Sequence, residues 1–333
     1  MLYSYMTAQS KSLMQLSRTE HSLDESYLPL LKDIHFTPIF ILGNHRSGTT
    51  LLYKLLAATQ CFNFVTAYHV IKYNEILFNH VNRRQDRAKE ELRELFKSLD
   101  LNNRSFDDVA VVPDLPEEYG FILINTRYQP KLSPKNLPVF IELCKKIQFV
   151  SAPGRPLLIK NPWDYPNFIY VKSAFPEAKF IFIHRNPIHV INSQLRALRP
   201  MLAIRGAYTA LLSQRYAKLF DNPAKLFVAR LLFSSHFNLG VRVFTIRFVW
   251  ITNYFLKNIG SLPKTDYISI RYEDLCENPE TNVVRILEFL GLEQNTTLSY
   301  EALIKPRPIE LLEEVKRRQS SILKRLASYL AYC

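Results

Sequence analysis

Gly43-Asn44-His45-Arg46-Ser47-Gly48-Thr49-Thr50 is the stretch on which the reading of this chain turns. Before it runs Thr37-Pro38-Ile39-Phe40-Ile41-Leu42, a short β-branched and aromatic segment suited to a buried parallel strand. After it, Thr49 to Thr59 (TTLLYKLLAAT) has the composition of a helix packed back on that strand. Gly43 permits a sharp exit from the strand, and Gly48 lets the backbone approach a ligand closely. A helix N-terminus at that point offers free amide donors and the positive end of its dipole. Strand, glycine loop and helix together predict a cradle for a phosphate-like anion; a tight turn with no ligand is the plainer alternative.

The glycine spacing is that of a P-loop, yet two parts of a nucleotide triphosphatase are missing. Thr49 stands where the loop lysine would follow the second glycine. The best candidate for a strand ending in a magnesium-binding aspartate, Phe180-Ile181-Phe182-Ile183-His184, runs instead into Arg185. The expected site therefore binds its anion without metal, with Arg46 supplying the charge.

Further along the chain, strands and helices alternate. Pro156-Leu157-Leu158-Ile159-Lys160 reads as a strand followed by a helix from Tyr165 to Ser173. Ala178 to His184 is another, followed by a helix opening at Pro187, where proline suits the first turn. Asp266 to Arg271 leads through Tyr272-Glu273-Asp274 to a helix that Pro279 opens and Gly291 closes. Alternation of this kind implies an α/β fold with a mostly parallel central sheet, covered on both faces. Residues 69–100 read as a charged surface helix pair and 201–259 as an apolar helical cap. Residues 1–36 form an irregular or helical lead-in, 37–308 the main domain, and 309–333 a terminal amphipathic helix.

Composition narrows the partners. The 43 Lys and Arg against 30 Asp and Glu leave a net charge of +13, which suits an anionic ligand, acceptor or surface. Cys61, Cys144, Cys276 and Cys333 are too scattered for a zinc site or a disulfide framework and fit the reduced thiols of a cytoplasmic protein. No secretory leader pattern opens the sequence, and no nucleic-acid motif is found. The apolar run from 226 to 259 is interrupted by Arg230, Arg242 and Arg247, so a spanning helix is not expected, although a membrane-surface contact stays open.

His45-Arg46-Ser47-Gly48-Thr49-Thr50 resembles the 5′-phosphosulfate loop of the sulfotransferases, in the branch that carries Arg-Ser-Gly-Thr-Thr and includes bacterial and tyrosylprotein enzymes. Three further segments match that family in order: PLLIKNPW at 156–163, FIFIHRNPIHVINS at 180–193 and ISIRYEDLCENPETNVVRILEFLGL at 268–292. The resemblance covers residues 38 to 292 and implies a P-loop-type three-layer sandwich with helical cap insertions. It implies 3′-phosphoadenosine 5′-phosphosulfate as donor, its desulfated product as ligand, and a hydroxyl- or amine-bearing acceptor, hydrophobic or acidic. Arg46, Ser47, Gly48, Thr49 and Thr50 would hold the 5′-phosphosulfate. Arg185 and Ser193, eight residues apart, would grip the 3′-phosphate, a strand-end guanidinium being suited to fork onto such an anion.

Arg46 and Lys160 are the expected cations at the transferring group. The family's catalytic glutamate has no counterpart at its place, where an ungapped count puts Thr66 to His69. His69 is the expected replacement as general base, with a structural or helix-capping histidine as the alternative and with Glu75, Glu117 and Glu118 in reserve. Asp164 reads as a helix cap or an orienting group, and Tyr272 as a neighbour of the nucleotide or a strand-end residue. The Arg-Lys-Gly nucleotide clamp of the cytosolic branch is absent. Two other readings remain: a degenerate P-loop kinase or nucleotide-binding protein, and a non-enzymatic membrane-surface module.

Overall fold

Five parallel strands form the centre of the protein in the order β2-β3-β1-β4-β5, where β1 is Pro38–Leu42, β2 Asn63–Phe64, β3 Leu157–Lys160, β4 Lys179–His184 and β5 Tyr267–Arg271. These come from a computed structural model, which describes residues 22–104, 109–293, 299–300, 303–304 and 309–333. The expected parallel α/β architecture is the one found, with β1 in the middle and every residue of it buried. A strand covered on both sides must be apolar throughout, which is why PIFIL reads as a continuous run rather than an alternation.

Successive side chains still point to opposite faces, and each face collects its own core. Phe40, Leu42, Ile159, Phe180 and Phe182 belong to an aromatic-rich core on one side. Ile39, Ile41, Leu158, Ile181 and Ile183 belong to an aliphatic core on the other, shared with Leu52, Leu55 and Leu56 of the helix Thr49–Ala58. A third core lies beyond the sheet. There Ile188, Ile191 and Leu195 of the helix Pro187–Ala203 meet Val241 and Phe248 of the helix Leu239–Asn258 and Ile322 and Tyr329 of the C-terminal segment.

The local signals act as their chemistry dictates. Asn186 accepts from the Ile188 N–H at 3.0 Å and so caps the helix that Pro187 begins. Gly291 ends the helix Pro279–Leu290 with φ 68°, a left-handed conformation natural to glycine. Between residues 201 and 259 lie the helices Ala207–Leu212, Gln214–Phe220, Pro223–Phe233 and Leu239–Asn258.

Two expectations are corrected. Residues 69–100 hold three α-helices, Ala67–Ile71, Ile76–Val81 and Gln85–Ser98, rather than a pair. The terminal segment is not one helix over 309–332 but three short ones, Glu313–Lys316, Gln319–Arg325 and Ala327–Tyr332, because its apolar side chains turn inward to fill the third core. In the lead-in, Glu25–Leu31 is a 3-10 helix, anchored beside the buried ion pair of Asp24 with Lys146 at 2.9 Å; residues 1–21 lie outside the described residues. The expected boundary at 308 also lies outside them.

Candidate functional site

In a parallel sheet the loops that leave the carboxyl ends of the strands share one edge, and that is where ligands bind. Here β1 delivers residues 43–48 to that edge, β3 delivers Lys160, β4 delivers Arg185 and β5 delivers Tyr272. Segments far apart in sequence are thereby gathered around one loop.

The loop itself is shaped for an anion. Arg46 has φ 71° and Gly48 φ 101°, so two residues adopt positive φ before the helix Thr49–Ala58 starts. Left-handed residues of this kind turn successive N–H groups toward a common concavity. A side chain at Gly43 would come within 2.6 Å of Ser47 Oγ and 2.7 Å of the Ile183 carbonyl, so only glycine fits against β4 there. At Gly48 a methyl would fall into the ring of Tyr272. Gly48→Ala is therefore expected to destabilise the fold by about 1–3 kcal/mol, from the positive φ and the displaced ring, read as a drop in melting temperature. Adding Tyr272→Ala recovers only the part of the drop due to the clash.

Arg46, Arg185 and Ser193 form one patch. Arg46 Nε donates to Ser193 Oγ at 3.1 Å, and Arg185 donates through Nη1 to the Arg46 carbonyl at 3.0 Å. The Arg185 guanidinium lies 4.0 Å from the centroid of the Tyr272 ring, a cation–π seat that fixes its plane. Its Nε and the Ser47 hydroxyl are buried and find no hydrogen-bond partner among the described residues. Buried polar groups left this way are costly, and a ligand that accepts hydrogen bonds from them relieves that cost. The loop is braced from behind by Gln194, which donates to the His45 carbonyl at 2.8 Å.

Lys160 stands on the other side of the loop. It is 1% exposed, and its Nζ donates to Thr50 Oγ1 at 3.1 Å and pairs with Glu118 Oε1 at 3.1 Å. Glu118 is held there by its neighbours: Glu117 N–H bonds to the Val65 carbonyl, and the Ala67 and Tyr68 N–H groups bond to the carbonyls of Leu115 and Pro113. The adjacent Glu117 points away into the interior, where it meets Arg104 at 3.2 Å and Tyr208 at 2.7 Å. Burial raises the Glu117 carboxyl above the usual carboxylate range, opposed by the Arg104 charge. Two adjacent glutamates thus take different work, one inside the fold and one at the loop.

His69 does not join this cluster through any of its hydrogen bonds. It is buried in a capping box: Nδ1 accepts from the Thr66 N–H at 3.1 Å while the His69 N–H donates to Thr66 Oγ1 at 3.4 Å. Burial, with the nearby Lys89 charge, lowers its pKa to about 3. With Nδ1 accepting, the ring proton sits on Nε2, so its basic lone pair is already used. Helix capping, the alternative raised for this residue, is what the geometry displays. Glu75 pairs with Lys72 at 3.2 Å. Asp164 accepts from Tyr119, Asn161, Asn167 and the Leu132 N–H, a buried hub that ties several loops rather than a simple helix cap. Burial pushes its carboxyl up in spite of those four donors.

Two neighbours were not singled out by sequence. His45 packs edge-on to Trp163 at 4.8 Å, and Trp163 in turn against Phe121 at 5.8 Å, giving the site an aromatic wall. Burial brings the His45 pKa down to about 4; Glu118 opposes the shift, and the charges of Arg247, Lys160 and Arg46 add to it. Arg247 belongs to the helix Leu239–Asn258, which packs through Val241 and Phe248 on the helix Pro187–Ala203, whose Gln194 braces the loop. No motif flags Arg247, since its approach depends on how the cap folds back.

The family description "Sulfotransferase family" matches residues 38–233. Among curated proteins, the omega-hydroxy-beta-dihydromenaquinone-9 sulfotransferase Stf3 of Mycobacterium bovis is 24% identical over 279 residues, 77% of this chain and 63% of that protein. The Mycobacterium tuberculosis protein of the same name matches equally well. The chain thus spans 63% of the length of these relatives. Among solved structures, sulfotransferase STF9 from Mycobacterium avium superposes with a TM-score of 0.63 at 15% identity, over 92% of this chain and 80% of that one.

Proposed function

This chain belongs to the sulfotransferase family, and from that premise we propose that it transfers a sulfuryl group from 3′-phosphoadenosine 5′-phosphosulfate to a hydroxyl or amine acceptor by in-line displacement. The observation that carries the reading is the joined patch of Arg185, Arg46 and Ser193 beside a loop in which two residues, Arg46 and Gly48, adopt positive φ. It offers guanidinium and hydroxyl donors for one phosphate next to amide donors for another, the pattern a nucleotide phosphorylated at both 3′ and 5′ positions requires.

The chemistry follows from the charges in place. The acceptor oxygen forms its bond to sulfur as the bond from sulfur to the 5′-phosphate oxygen breaks, and the electron pair leaves with that phosphate. Lys160, beside Thr50, would draw charge from the sulfuryl and bridging oxygens. The acceptor's proton needs a base, and Glu118 is the carboxylate paired with Lys160. Arrival of the donor would draw Lys160 toward its own oxygens and leave Glu118 free to accept that proton. His69, expected in this role from the sequence, is the less favoured base because its ring serves the cap.

A hydrophobic acceptor suits the aromatic wall of His45, Trp163 and Phe121, and the Stf3 relatives are named for an omega-hydroxylated menaquinone. Calorimetric titration with 3′-phosphoadenosine 5′-phosphate, without magnesium and beside ATP and AMP, tests the donor site. Selective binding of the bisphosphate is expected, weakened about 10- to 100-fold in Arg185→Ala by loss of a charge-assisted contact. A folded protein with no preference for the 3′-phosphorylated nucleotide would overturn the reading, and tight magnesium-dependent ATP binding would replace it with that of a nucleotide kinase.

A further inference from the structure

The helical cap carries an apolar surface that the donor site does not use. On the helix Pro223–Phe233, Phe227, Val228 and Leu231 are exposed; on Leu239–Asn258, Val243, Ile246 and Trp250 are. The second set is spaced three and four residues apart, one stripe along a helix, while Val241, Thr245, Phe248 and Thr252 occupy the buried face. Phe233 packs on Phe244 at 5.4 Å and holds the two helices together, and Phe237, 59% exposed, stands in the short link between them. Nine of the nineteen large hydrophobic side chains exposed among the described residues lie between Ile204 and Trp250. A concentration of this kind marks a surface that meets something apolar.

Charge identifies the occupant. Residues 201–259 contain eight Lys and Arg and a single acidic residue, Asp221. Arg242 and Arg247 flank the stripe on its own helix, and Arg230 follows Val228 on the other. A depression of about 410 Å³ at the end of that helix is lined by Arg199, Arg230 and Phe233 among others; Arg199 there pairs with Glu314, and Arg230 donates to the Leu202 and Ala203 carbonyls. A second copy of the chain would bring the same charge against itself. No helix among the described residues is long and apolar enough to cross a membrane, so the contact lies in the plane of the interface. We propose that the cap helices seat this protein on an anionic lipid surface, with the apolar stripe entering the acyl boundary and the arginines meeting headgroup phosphates. Val241 and Phe248 of the helix Leu239–Asn258 share a core with Leu195, next to Gln194, which holds the His45 carbonyl, so the surface adjoins the candidate site and would present it to acceptors dissolved in the bilayer. The proposal does not require the donor assignment to hold.

The test is co-sedimentation with phosphatidylglycerol–phosphatidylcholine vesicles and with phosphatidylcholine vesicles alone, read together with tryptophan emission. The chain has two tryptophans, so comparison with Trp250→Phe assigns a blue shift to Trp250. Binding to the anionic vesicles with a blue shift is expected, weakened ~10-fold or more in Phe227→Ser/Ile246→Ser/Trp250→Ser. The three positions are exposed, and an unchanged melting temperature verifies that the variant is folded. Failure of the wild type to bind anionic vesicles would overturn the proposal, as would a folded triple variant that binds as well as wild type. A wild-type dimer that the triple variant dissolves, with no vesicle binding by either, would overturn it in favour of an interface between copies.

Discussion

Lys160→Met is expected to lower turnover by about 10²- to 10³-fold while leaving the affinity for 3′-phosphoadenosine 5′-phosphate nearly unchanged. Methionine keeps most of the lysine stem and its packing beside Tyr53, whose ring lies 5.7 Å from Nζ, and removes the charge together with the bond to Thr50 Oγ1. The desulfated product lacks the sulfuryl group that Lys160 is proposed to face, so its binding is a control for damage to the loop. Steady-state rates with an acceptor taken by the wild-type enzyme give the diagnosis. Equal falls in kcat and kcat/KM indicate an interaction made in the transition state. A raised KM with unchanged kcat would instead make Lys160 a binding residue. The variant also leaves Glu118 without its cation, at a cost of about 1–3 kcal/mol in stability, so a melting curve accompanies the kinetics.

What could be read before the fold was known, and what could not, follows from how far each feature depends on tertiary packing. Gly43 and Gly48 lie within one strand–loop–helix unit, so their spacing shows in the sequence, but the neighbours that demand glycine, Ile183 of β4 and the Tyr272 ring, arrive only with the fold. The spacing of Arg185 and Ser193 spans the end of one strand and the first turns of the next helix, so it too is a local pattern. Their junction with Arg46 is not local, but a parallel sheet obliges the ends of β1 and β4 to be neighbours. Glu118 is different. It reaches Lys160 because residues 113–117 lie against 65–68 through backbone bonds that no periodicity announces. The two-residue strand β2 is similarly silent, too short for any alternation to show. The terminal segment breaks into three short helices whose apolar residues enter a core built mainly by other elements, a placement its own amphipathic pattern does not specify.

Glu118→Gln is expected to reduce turnover by about 10²- to 10⁴-fold, the range for removing a general base, with His69→Gln remaining within a few-fold of wild type. Glutamine at 118 keeps the shape and an acceptor for Lys160 but cannot take up a proton at working pH. Glutamine at 69 is the natural partner of threonine in a capping box, so it preserves the bond to the Thr66 N–H while removing the imidazole. The pair of variants therefore separates base chemistry from helix capping, which alanine at either site would confuse. A histidine whose pKa is lowered to about 3 by burial is a weak base near neutrality, and its accepting nitrogen must leave the cap before it can reach a substrate. If His69→Gln fell and Glu118→Gln did not, that opening would have to occur on donor or acceptor binding. The helix Ala67–Ile71 would then move in each turnover, and Glu118 would be left as the counterion that holds Lys160 over Thr50.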